Sequence, residues 1–146
     1  MGNRHKAREF TLQILYQHDM VETPIEEAIQ LFWRDIQVPR EVYDFCCRLV
    51  YGVLAHRKQI DELLAQYSEN WSLERMNGVD RNVLRIATYE ILCCEEIPKN
   101  VTINEAVEIG KRFGTEDSGA FINGIIDKIA RDCKRSADGE IEKEAE

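Results

Sequence analysis

The chain has 146 residues, 44% of them hydrophobic, and a formal net charge of −8. A domain of this size buries about 68–70% of its unfolded surface, so its stability requires neither disulfides nor a structural metal. The basic start MGNRHKAREF has no apolar run behind it and no stretch nears roughly 18 apolar residues, so the expectation is a cytoplasmic chain with neither signal peptide nor membrane span.

Residues 3 to about 19 carry helical periodicity, with Phe10, Ile14 and Leu15 inward and Asn3 as the cap. Arg4 and Arg8 lie one turn apart on this helix, and Tyr16 lies two turns beyond on nearly the same side. Thr23-Pro24 predicts the next start, Thr at the N-cap and Pro at the first helical position, with Glu26 and Glu27 in the first turn. That helix carries Ile25, Ala28, Ile29, Phe32 and Trp33 and ends before Val38-Pro39. A third spans 40 to about 57, with Val42, Phe45, Cys46, Leu49, Val53 and Leu54 as its stripe and Gly52 marking a close crossing.

A shorter helix over 58–67 turns Ile60, Leu63 and Leu64 inward, and SENWSL reads as a turn in which Trp71 plugs a seam between two halves. The stretch from 79 to about 94 is apolar on several sides, which predicts a central helix. Thr102 is read as the next N-cap, with Glu105 completing a capping box. Gly110 should cost that helix up to about 1 kcal/mol unless a neighbour packs closely. Phe113-Gly114 closes it. Thr115 caps the last helix, whose inner stripe is Ile122, Ile125, Ile126 and Ile129, with Phe121 at the margin.

The fold class is therefore all-α: about seven helices in a compact bundle, one domain over 1–135 with subdomains 1–57 and 58–135. Residues 136–146 form an acidic tail expected to be disordered. The five cysteines, two adjacent pairs and a single, lack zinc-site spacing and read as free thiols, so no metal or other cofactor is expected. There is no phosphate loop, HExxH or GxSxG, and the three histidines belong to no nucleophile or metal signature; the reading is not an enzyme.

Charge is unevenly spread. The tail from 136 carries −4 and residues 1–9 carry +2, so a local basic patch can bind phosphate despite the overall sign. The NRHKAR cluster is either an ordinary charged start or a helical grip on RNA phosphates. Tyr16, Tyr67 and Phe121 are either core filling or stacking platforms for single-stranded bases.

Two stretches, NWSLERMNGVDRNVLRIATYEIL and IPKNVTINEAVEIGKRFGTEDSGAFINGIID, closely resemble the NusB family of transcription antitermination factors. The opening RHKAREFTLQILYQHDM is similar to that family's first helix, whereas 22–61 match weakly. The resemblance implies an all-helical protein that binds boxA-type nascent RNA with the ribosomal protein NusE, within the transcription elongation complex and in support of rRNA operons. It also implies RNA-binding roles for Arg4, His5, Lys6, Arg8, Asp117 and Phe121, more weakly for Tyr67, and a contact with the protein partner for Asp80; Tyr16 joins the RNA-binding set as an aromatic beside the basic cluster. Ala120 stands where the family often has lysine. The alternative is a helical protein-interaction module or an rRNA-processing accessory without RNA specificity of its own; monomer and homodimer both stay open for the free chain.

Overall fold

A computed structural model describes residues 2–69, 71–134 and 142–143. Seven helices follow in order: α1 (Asn3–Met20), α2 (Ile25–Trp33), α3 (Arg40–Ala55), α4 (Arg57–Tyr67), α5 (Gly78–Cys93), α6 (Lys99–Phe113) and α7 (Ser118–Asp132). A short 3-10 turn, Leu73–Arg75, leads into α5. Cys133–Lys134 (β1) runs antiparallel to Glu142–Lys143 (β2). The rest of the acidic segment lies outside the described residues.

The three prolines act alike. Pro24, Pro39 and Pro98 each occupy the position just before a helix, with φ between −59° and −53°, where no N–H is required. Thr23 is thus not the cap of α2; its hydroxyl instead accepts from Gln17 Nε2 at 3.0 Å. Likewise α6 begins at Lys99, one turn before the expected Thr102. Thr102 is a buried interior residue whose hydroxyl donates to Glu90 Oε1 at 3.1 Å, so no capping box forms there.

Helix α5 is the axis of the bundle. Every residue from Asp80 to Leu92 is buried, and α1, α3, α4, α6 and α7 all pack on it. Close crossings depend on missing side chains: a Cβ on Gly52 would collide with the Tyr89 ring, and one on Gly110 with Ile122. The cost of Gly110 within a helix is thereby offset by close packing of α7.

The polar residues of α5 are paired across the bundle. Arg85 holds Asp61 through Nε and Nη2 at 2.8 and 3.0 Å, and Arg81 Nε donates to Asp19 at 2.8 Å. These pairs tie α5 to α4 and α1 and satisfy charges that burial would otherwise penalise. None of the five cysteines forms a disulfide, and burial pushes the Cys46 and Cys94 thiols up to about 12.

Candidate nucleic-acid interface

The α1 start presents its cations unequally. Arg4 is 49% exposed, its guanidinium 4.7 Å above the Phe45 ring and 4.0 Å from Glu96. Lys6 is 54% exposed, with Nζ 3.7 Å from Glu9 and 5.2 Å from the Phe10 ring centre. His5 is half-buried, its Nδ1 2.6 Å from Glu105 and its Nε2 3.5 Å from Glu9.

Arg8 departs from the expected phosphate contact. It lies one turn deeper and is buried, with Nε and Nη2 each 2.8 Å from Glu90 and Nη1 3.3 Å from Glu105. Burial alone would lower its pKa, but the hydrogen bonds and charges of Glu90 and Glu105 outweigh that and raise it. All of its forked geometry is spent on carboxylates inside the bundle, so its part is to anchor α1 and present its neighbours.

A second feature opens at the start of α5. A pocket of about 410 Å³ is lined by Trp71, Arg75, Met76, Asn77, Asp80, Asp117 and Phe121. Phe121 is half-buried and meets Trp71 edge-on, ring centres 6.4 Å apart at 78°. Trp71 is 51% exposed. It forms a wall of the pocket rather than the plug of a seam, because the chain from the 3-10 turn runs over the surface and α5 already fills the centre.

Asp80 sits in the wall of this pocket. Asn77 caps α5, its Oδ1 accepting from the Asp80 N–H at 2.8 Å, and its Nδ2 donates to Asp80 Oδ2 at 3.1 Å, a side-chain bond that holds the two together. Asp80 Oδ1 is buried and has no hydrogen-bond partner among the described residues. Such an oxygen is costly unless something donates to it. On the opposite side, the Ser118 hydroxyl accepts from the Thr115 N–H at 2.9 Å and shapes the turn that places Asp117 at the mouth.

Asp80, Asp117 and Phe121 thus converge on one pocket. Tyr16 is exposed and packs with Met20 against Gly78, next in chain to pocket-lining Asn77. Tyr67 lies elsewhere: its hydroxyl donates to Asp132 at the end of α7, and burial followed by nearby anionic charge raises its pKa. Sequence reasoning missed Trp71 as a pocket wall and Arg75 and Asn77 as its companions; the spacing Asn77-x-x-Asp80 was a readable capping signal. No cluster able to hold a metal occurs among the described residues, and no helix there is long and apolar enough to cross a membrane.

A model of the NusB family matches residues 5–131. A transcription antitermination protein NusB from Desulfatibacillum aliphaticivorans is 49% identical over 129 residues, covering 88% of this chain and 90% of its own. One from Anaeromyxobacter dehalogenans is 47% identical over 140 residues, covering 95% and 98%. Among solved structures, T. maritima NusB shares 39% identity with a TM-score of 0.81, covering 93% of this chain and 95% of its own. A complex of antitermination factors NusB and NusE with double-stranded RNA contains a chain of the same fold, at 23% identity and a TM-score of 0.80, covering 90% and 98%. The seven-helix, all-α architecture and the match along nearly the whole chain lead to one assignment: the chain belongs to the NusB family, whose curated members are transcription antitermination proteins and not enzymes.

Proposed function

We propose that this chain is a cytoplasmic antitermination factor that binds boxA-type single-stranded nascent RNA together with NusE, within the transcription elongation complex, and thereby supports transcription of rRNA operons. The observation that carries this reading is the pairing of two surfaces suited to RNA: exposed cations at the start of α1, and the open pocket in which Phe121 meets Trp71. Arg4 and Lys6 supply phosphate contacts, and His5 lies between them with its ring nitrogens facing Glu105 and Glu9. The aromatic faces offer stacking to unpaired bases.

NusE docks beside that pocket. The Asp80 carboxylate in the pocket wall supplies negative charge suited to a cationic side chain of the partner, and exposed Tyr16 adjoins it across Gly78. In this reading the protein and RNA contacts meet at Asp80, Asp117 and Phe121 rather than on opposite faces. The free chain is a monomer or a homodimer whose contact leaves the α1 cations accessible.

The test is a titration of labelled single-stranded boxA-type RNA, with and without NusE, across a salt series. Binding that tightens with NusE and weakens steeply with salt is expected. Equal affinity for RNAs lacking the boxA sequence, or no effect of NusE, would refute the reading in favour of an accessory without its own RNA specificity.

A further inference from the structure

The α1 cations and the Phe121 pocket are joined by a strip of positive charge on α6, to which neither composition nor motif drew attention. The first turn of α7, Ser118-Gly119-Ala120, carries no cation of its own. Instead the stem of Lys111 lies across Gly119: Cγ, Cε and Cδ come within 2.9, 3.0 and 3.5 Å of where a Cβ on Gly119 would sit. Only glycine leaves room for that path. Lys111 is an exposed residue and forms no ion pair among the described residues.

Its neighbour Arg112 is 63% exposed, with Nη1 2.6 Å from Glu9 Oε2 and its guanidinium 5.1 Å from the ring centre of exposed Phe113. The same Glu9 receives Lys6 at 3.7 Å. One buried carboxylate thus anchors exposed cations from both α1 and α6, and Lys111 adds a third beside Gly119, two residues before Phe121. The exposed acids flanking the strip are Glu108, one turn back on α6, and Glu116 and Asp117 in the turn before α7. A buried anion beneath exposed cations fixes their positions while the cations themselves stay open to solvent.

We infer that Lys111 and Arg112 bind the phosphodiester backbone of the RNA and make the α1 cations and the Phe121 pocket one continuous path for a single strand. This rests on the RNA-binding reading above. Lys111, steered across Gly119, delivers to the α7 corner the charge that Ala120 does not carry. Arg112 spans the step back to Lys6.

The test uses the full chain and a fluorescently labelled single-stranded RNA of boxA type, titrated from 50 to 200 mM KCl. Each lost phosphate contact lowers the salt slope by roughly 0.7, so wild type should lose about 2.6-fold more affinity than Lys111→Gln across that range, and about sevenfold more than Lys111→Gln with Arg112→Gln. Arg131→Gln, on the far end of α7, makes the same change in net charge and should leave the slope unaltered. Gly119→Ala, which displaces the Lys111 stem without changing charge, should weaken binding, and Ala120→Lys should restore the slope of Lys111→Gln. Lys111 has no ion pair to break, so its variant separates binding from folding. Wild type that binds RNA while Lys111→Gln and the double variant keep its affinity and slope would overturn this inference alone. An equal change in Arg131→Gln would do the same by showing that only net charge matters. Wild type that fails to bind RNA even with NusE would overturn the RNA-binding reading itself, and this inference with it.

Discussion

Arg8 and Glu90, 82 residues apart, form a two-pronged ion pair with both N–O distances at 2.8 Å and side-chain exposures of 3% and 1%. Thr102 donates to the same carboxylate, so the pair fastens α1 and α6 to the central helix. Removing one partner of such a pair leaves a buried charge uncompensated, whereas removing both does not.

Arg8→Ala should therefore destabilise the fold by about 3–5 kcal/mol, and Arg8→Met with Glu90→Leu by distinctly less. Arg4→Ala, at an exposed site, should change stability by no more than about 1 kcal/mol. Urea unfolding of the three variants checks this. An Arg8→Ala variant as stable as Arg4→Ala would show that the pair contributes nothing.

Phe121 is half-buried against the core and edge-on to Trp71. Phe121→Ala should weaken RNA binding by about 1–3 kcal/mol, with a stability loss below the roughly 3–5 kcal/mol of a wholly buried phenylalanine. In a Trp33→Phe background Trp71 is the sole tryptophan, and RNA should quench its fluorescence. A variant that melts far earlier yet binds RNA normally while folded would assign Phe121 to the core.

Asp80 combines a structural and an interfacial part, and the two can be separated. Asn77→Ala removes the cap of α5 and should cost about 1 kcal/mol. Asp80→Lys should lose stability as well as NusE docking, since its side chain is buried and a reversed charge at a protein contact costs several kcal/mol in order of magnitude. Asp80→Asn keeps the size and the cap but loses the charge, so it should melt near wild type and capture NusE poorly. Undiminished pull-down by Asp80→Asn would remove this residue from the docking surface.

Asp19 should shape the acid limb of stability. Burial raises its pKa, but hydrogen bonds from Asn82 and Arg81, at 2.9 and 2.8 Å, and the charge of Arg85 outweigh this and hold it below the usual carboxylate range. A depressed pKa contributes stability that is complete above the unfolded value near 3.8 and disappears as pH falls through the folded one. Asp19→Asn should destabilise the protein at pH 7 and flatten the decline below about pH 4. Unfolding curves from pH 2 to 7 that run parallel for both proteins would contradict the assignment.

The helices and their inner faces were legible in the sequence because apolar spacing near 3.6 residues is a local property. Ile122, Ile125, Ile126 and Ile129 occupy the buried stripe that their spacing predicted, and the stretch ending at Leu92, apolar on several sides, is central. The resemblance carried by the two long motifs likewise needed no coordinates. Errors of position arose where a local signal met a distant partner. Thr102 has the chemistry of a cap, but Glu90 takes its hydroxyl and Pro98 starts the helix a turn earlier. Arg8 looks like its neighbours Arg4 and Lys6, but a carboxylate 82 residues away buries it. Lys111 acquires its direction from a missing side chain on the next helix. Sequence by itself determined which residues form helices and which faces turn inward, since both follow from short-range periodicity and hydrophobicity. Only the tertiary structure decided which charges are neutralised inside and which remain for a ligand, because Coulomb and hydrogen-bond partners are selected by distance in space.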